Sequence, residues 1–312
     1  MSEDDAVRAT NDDATSCKRS AVQMSYWQDP YIQYFIRAGE RKAPEINRGY
    51  YARVKGIQVL LKQFLELTKC NCQIINLGAG FDTTFWNLKD EGMAPVSFIE
   101  MDFQGVVNRK AYYIKNRKPL LDKLSSEDCE VHFNGSDLHS AQYHVVSADL
   151  RNLSELSSKL KDCAVDYTLP TVFIAECVLV YMPSESSSAL LTWIAQNFQT
   201  AFFINYEQVV MGDRFGQVMV ENLKSRGCIL AGVEHCRSLE TQKHRFLSAG
   251  WESAAAKDML DIYKCLPQAE IQRLDGLELL NELHDQLLSH YCVCWAFVDR
   301  RGIGIPFPQM GL

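Results

Sequence analysis

The stretch Asn76-Leu77-Gly78-Ala79-Gly80-Phe81-Asp82-Thr83, which continues the apolar run of residues 73–77, decides how the chain is read. An apolar run, then two glycines one residue apart, then a helix-forming segment marks a strand that turns sharply into a helix. Glycines at that point let backbone approach a ligand closely. A dinucleotide fingerprint needs a third glycine at position 83, and Thr83 stands there. The break disfavours NAD and FAD, whose pyrophosphate sits in such a turn, and leaves a nucleoside cofactor without phosphates. Taken alone, the motif reads by default as an ordinary glycine turn.

Working outward, the same rhythm recurs. Short apolar runs at residues 96–101, 143–148, 171–175 and 201–206 alternate with helical segments such as 184–198. Most of these runs lack alternation, as strands buried on both faces do. The expectation is an α/β fold with a doubly wound, mostly parallel, Rossmann-like sheet. Ligands of such sheets bind at the carboxyl ends of the strands. Asp102, 22 residues past Gly80, stands where a carboxylate accepts hydrogen bonds from ribose hydroxyls. Asp149 and Leu150 offer a side-chain acceptor and a backbone N–H for an adenine edge, although Asp149 would serve equally as a helix cap. Glu176 ends an apolar run, where an unpaired carboxylate is costly to bury. It either caps the next helix or binds an ammonium group. Three carboxylates and a glycine loop on successive tips say more than any one of them.

The flanks are read from composition. Residues 1–16 hold Glu3, Asp4, Asp5, Asp12 and Asp13 against Arg8, more than half of the formal charge of −7, and are expected to be a disordered acidic leader. Residues 17–56, rich in aromatic and basic side chains, are expected to form a helical lid segment. Trp27, Tyr31 and Phe35 at helical spacing belong either to the lid or to the core. Residues 57–298 form the catalytic domain, with a helical insertion near 207–250 and further helices at 212–226, 239–248 and 275–288. A late strand at 291–298 precedes a loose tail over 299–312. The remaining body has no global pull on nucleic acid or anionic membrane, so neither partner is expected.

Eleven cysteines invite a disulfide reading. The acidic start has neither the basic nor the apolar region of a secretory signal, so reduced thiols in a cytoplasmic protein are expected. The Cys70/Cys72 and Cys292/Cys294 spacings do not match zinc knuckles, and no metal is expected.

Residues 76–86, the element Tyr26-Trp27…Asp29-Pro30-Tyr31, and Ala175-Glu176-Cys177-Val178-Leu179-Val180-Tyr181 together resemble the leucine carboxyl methyltransferase family. Asn205-Tyr206-Glu207-Gln208 and Met211-Gly212-Asp213-Arg214-Phe215-Gly216 narrow the resemblance to members that methylate the C-terminal leucine carboxylate of the protein phosphatase 2A catalytic subunit. The resemblance runs from about residue 17 to residue 295. It implies a class I S-adenosylmethionine-dependent methyltransferase, with Gly78, Asp102, Asp149, Leu150 and Glu176 contacting S-adenosyl-L-methionine. It also implies Lys18 and Arg53 as the basic residues at the cofactor and substrate carboxylates, in a protein expected to be monomeric.

The inferred reaction needs no general base, because an α-carboxyl group with an ordinary pKa of about 3.3–3.7 is already ionised at neutral pH. It needs in-line positioning and a cation that fixes the carboxylate plane, for which a forked guanidinium suits best. Arg53 is the candidate, with Tyr181 as a hydroxyl donor. A small-molecule O-methyltransferase of the same fold and a non-catalytic phosphatase-binding protein are the alternatives. The basic residues of 109–123 read as a solvated helix face or as a surface for an acidic partner.

Overall fold

A computed structural model describes residues 3–125, 130–280, 283–302, 304 and 310–312. Nine strands form one sheet: β1 (Gln73–Leu77), β2 (Ser97–Asp102), β3 (His132–Asn134), β4 (Asp137–His139), β5 (Tyr143–Ser147), β6 (Thr171–Glu176), β7 (Thr200–Gln208), β8 (Ser253–Asp258) and β9 (Tyr291–Asp299). Their order is β3-β4-β5-β2-β1-β6-β7-β9-β8. The five central strands, from β5 to β7, run parallel, and β9 joins them antiparallel. The chain winds one way from β1 through β2 to β5, then crosses to β6 and β7 on the other side. The switch point therefore lies between β1 and β6, where the expected doubly wound fold places its ligand.

β1 is buried at every position. Ile74 faces one apolar layer with Phe98, Tyr143 and Phe202, and Ile75 faces a second with Phe173, Leu190 and Phe203. Helices cover both faces: α1 (Glu3–Gln23), α2 (Pro44–Thr68), α3 (Thr84–Asp90), α4 (Gln104–Lys115) and α5 (Lys118–Leu121), then α6 (Leu153–Asp162) and α7 (Ser184–Asn197). Beyond β7 come α8 (Arg214–Ser225), α9 (Leu239–Ser248), α10 (Met259–Lys264), α11 (Gln268–Asp275) and α12 (Leu283–Ser289). α2 starts with Pro44 in its first turn and Glu45 beside it, both favourable at a helix N-terminus. It buries Leu60, Leu61 and Phe64, and Phe64 stacks on Phe202 of β7 at 5.6 Å. α9 opens with a reciprocal capping box between Ser238 and Thr241.

Several expectations need correction. The acidic leader is not disordered where it is described; it is the first two thirds of α1. Composition suggested disorder because the arginines that neutralise these aspartates lie far away in sequence. Residues 275–288 do not form one helix, since α11 ends at Asp275 with Gly276 as its cap and α12 starts at Leu283. The tail's end is docked rather than loose: Gln63 of α2 exchanges two hydrogen bonds with the Gly311 backbone, at 3.0 and 3.1 Å. Residues 303 and 305–309 of that tail lie outside the described residues. β3, β4 and β8 were not anticipated, for β3 is exposed throughout and β8 reads Ser-Ala-Ala-Ala-Lys-Asp, weak strand formers.

Candidate active site

The carboxyl ends of β1, β2, β5 and β6 converge on a cavity of about 870 Å³. Gly78 and Gly80 both take left-handed torsions, φ +62° and +53°. A Cβ on Gly78 would stand 2.5 Å from Val178 Cγ2, so backbone there runs closer to its neighbours than any side chain permits. Asp102 locks this turn: its carboxylate accepts the Gly80 N–H at 2.7 Å and the Phe103 N–H at 2.7 Å. Each oxygen keeps a second lone pair for a hydroxyl donor. Burial pushes the Asp102 carboxyl up, against the pull of these amide bonds.

Asp149 lines the same cavity and is gripped by Arg151 through bonds of 2.7 and 2.8 Å, which hold its carboxyl below the usual range. Leu150 beside it is buried. On the fourth tip Glu176 receives Arg53 Nε at 2.6 Å and Lys18 Nζ at 3.1 Å. Burial alone would raise the Glu176 carboxyl, but the two cations outweigh it and bring it down to about 2. Cys177 follows with φ +56°, a strained turn for a residue with a side chain, fixed by its N–H to the Tyr206 carbonyl at 2.7 Å. All seven residues expected at the cofactor line one cavity. Tyr181, on a single helical turn after β6, lines it too.

This donor set suits a nucleoside with a zwitterionic amino-acid tail. Asp102 suits a diol, Lys18 and Arg53 suit a carboxylate, and Glu176 suits an ammonium. Carboxylates Asp82 and Asp102 around the glycine turn oppose a pyrophosphate.

Sequence reasoning missed the roof. α1 lies across the opening, and Asn11 Oδ1 accepts the Phe81 N–H at 2.9 Å, occupying the edge of the glycine turn. Arg8 sits over the Phe103 ring at 5.4 Å. Three ion pairs clasp the helix: Asp4 to Arg151 at 3.0 Å, Asp12 to Arg109 at 3.0 Å, and Asp13 to Arg226. The basic segment 109–123 thus finds partners inside this chain, for Lys110 is buried against Glu100 and Lys123 pairs with Asp90 at 2.5 Å. Tyr31 and Phe35 are core residues packed on Trp86.

The far half of the cavity is an aromatic wall. Arg53 is 8% exposed and lies over the rings of Tyr206 (4.6 Å) and Tyr50 (5.3 Å). Tyr206 in turn stacks on Tyr291 at 5.4 Å, nearly parallel. β7 and β9 carry these two rings, 85 residues apart in sequence, so no local pattern reveals them. The insertion closes this end. Asp213 caps α8 by accepting the Gly216 N–H at 2.7 Å and bonds His290 at 2.9 Å, which presents Met219 and Leu223 to the cavity. His139 and His144, hydrogen-bonded at 3.0 Å, lie with Cys163 at the outer sheet edge and are not part of this cavity.

Comparison with known proteins agrees with this architecture. A solved protein of Thermobifida fusca YX assigned as a methyltransferase, 11% identical, superposes with a TM-score of 0.53 over 86% of this chain and 92% of that one, and shares the fold. Leucine carboxyl methyltransferase 1 of Bos taurus is 56% identical over 97% of this chain and 93% of its own. The Arabidopsis thaliana homolog is 39% identical over 96% and 91%. The human tRNA wybutosine-synthesizing protein 4 is 35% identical over 92% of this chain but only 43% of its own. The family model for leucine carboxyl methyltransferase matches residues 6–195, a span holding the glycine turn, all three carboxylate tips and both cations. On these grounds the chain belongs to the leucine carboxyl methyltransferase family, whose cofactor is S-adenosylmethionine.

Proposed function

We propose that this protein methylates the C-terminal leucine α-carboxylate of the protein phosphatase 2A catalytic subunit, forming a methyl ester. We further assign α1 and the segment to residue 56 as a lid on a single catalytic domain, acting in the cytoplasm. Among the described residues no helix is long and apolar enough to cross a membrane.

The observation that carries the reading is Arg53. Its Nε is committed to Glu176, and Nη2 reaches the Glu176 carbonyl only at 3.5 Å, so the outer edge of the guanidinium is available to an incoming carboxylate. Burial would discharge it, but Glu176 holds it charged, far above any working pH. Between two tyrosine rings its plane is fixed, which is what a bidentate carboxylate clamp requires. Lys18, Arg53, Asp102 and Glu176 would hold S-adenosylmethionine, which would supply a methyl group on a cationic sulfur for transfer to a carboxylate oxygen aimed by Arg53. No proton moves, and among the described lining residues no histidine is present to move one. The residues orient, desolvate and hold charge; they need not act as acid or base.

The test is to incubate the protein with methyl-labelled cofactor and the phosphatase catalytic subunit, intact or lacking its last leucine. Base-labile label on the intact subunit alone is expected. Equal labelling of the truncated one overturns the assignment.

A further inference from the structure

The wall opposite the cofactor tips contains a polar atom that the chemistry above does not use. Gln208 is the last residue of β7, 3% exposed, and lines the cavity. It faces Tyr291 directly across the β7–β9 pair. Its Oε1 is buried and has no hydrogen-bond partner in the protein. A buried acceptor left unpaired is destabilising, and one beside a cavity can be paired by a ligand that brings a donor.

The position says what that ligand offers. Gln208 lies two residues beyond Tyr206 on the same strand face, roughly 7 Å further along it. Tyr206 carries the Arg53 guanidinium on its ring. A carboxylate held by Arg53 has only acceptors and cannot satisfy Gln208 Oε1. A backbone amide adjoining that carboxylate has one N–H donor. A free amino acid would instead bring an ammonium group, a second cation set down beside Arg53.

We infer that Gln208 is a subsite for the acceptor's main chain, its Oε1 accepting a backbone N–H from the terminal residues of the peptide. The inference rests on the reading that the acceptor is a peptide C-terminus. Gln208 thereby sets the register in which the terminal carboxylate meets Arg53.

A double-mutant cycle tests this. Gln208→Met removes the amide with little change of volume. On the substrate side, a semisynthetic phosphatase catalytic subunit carries an ester in place of the last or the next-to-last peptide bond, which deletes one N–H without adding bulk. For one of the two esters, enzyme variant and ester should each lower kcat/KM by about 10- to 100-fold, the range for stranding or deleting one buried hydrogen bond. Together they should lower it no further than either alone, with cofactor affinity unchanged by calorimetry. Losses that multiply for both esters would make Gln208 merely structural and overturn the inference, as would kcat/KM within about twofold of wild type for Gln208→Met. Failure of the wild-type protein to methylate the all-amide subunit would instead overturn the proposed function and is read separately.

Discussion

Arg53→Lys separates positioning from charge. Lysine keeps Glu176 paired, so no carboxylate is stranded in the interior, whereas alanine would leave Glu176 with Lys18 alone and risk the several kcal/mol lost when a buried pair is broken. The lysine variant should therefore fold with a melting temperature close to wild type. It loses the planar fork and its fixed seat between Tyr50 and Tyr206. One charge-assisted hydrogen bond to the reacting carboxylate is worth about 1.5–3 kcal/mol, a factor of about 10–150 in rate. Loss of in-line aim gives a similar figure, on the order of 100-fold. With both substrates saturating, turnover should fall roughly 100-fold. If the same cation also holds the cofactor's carboxylate, as proposed, cofactor affinity measured by calorimetry should drop as well, by about 10-fold for one weakened charged bond. Turnover near wild type would refute the reasoning and reduce Arg53 to a packing residue.

Asp102→Ala removes both the hydroxyl acceptor and the partner of the Gly80 and Phe103 amides, and should weaken cofactor binding by about 1–3 kcal/mol in calorimetry. Gly78→Ala forces a Cβ toward Val178 in a left-handed backbone, and cofactor affinity should fall sharply while the far-UV circular dichroism stays unchanged. Glu176 is held down to about 2, below its unfolded value near 4.5, so the stability it contributes is present above pH 4.5 and fades as pH falls toward 2. The turnover profile should accordingly be flat from pH 8 down to about 5, where the acceptor carboxylate is also ionised; an acidic limb near pH 6 would contradict this. Replacing Asp4, Asp12 and Asp13 together by Asn releases three exposed clasps worth at most about 1 kcal/mol each. Limited proteolysis should then cut within α1 faster than in wild type, and added salt should do the same to the unaltered protein.

What the sequence revealed follows the physics of each element. The parallel strands are short, apolar and buried on both faces, so β1, β2, β5, β6 and β7 stand within two residues of their expected bounds. Their tips follow from the fold rule, which is why Gly78, Asp102, Asp149 and Glu176 could be expected at one cavity without coordinates, and they line one. α1 was misread because its helix is stabilised by Arg109, Arg151 and Arg226, which belong to three other segments. The wall of Tyr50, Tyr206 and Tyr291 arises from the β7–β9 register, which is a tertiary fact. Gln208 was quoted as part of a motif, but only burial and a missing partner mark it as a site.

The central claim is that a terminal α-carboxylate is the nucleophile. Mass spectrometry of the C-terminal peptide of the phosphatase catalytic subunit, after reaction with the protein and S-adenosylmethionine, addresses it most directly. The account predicts one added methyl on that peptide, placed by fragmentation on the leucine carboxylate and removed by mild base. A methyl on any side chain, or an unmodified C-terminal peptide beside consumed cofactor, would contradict it.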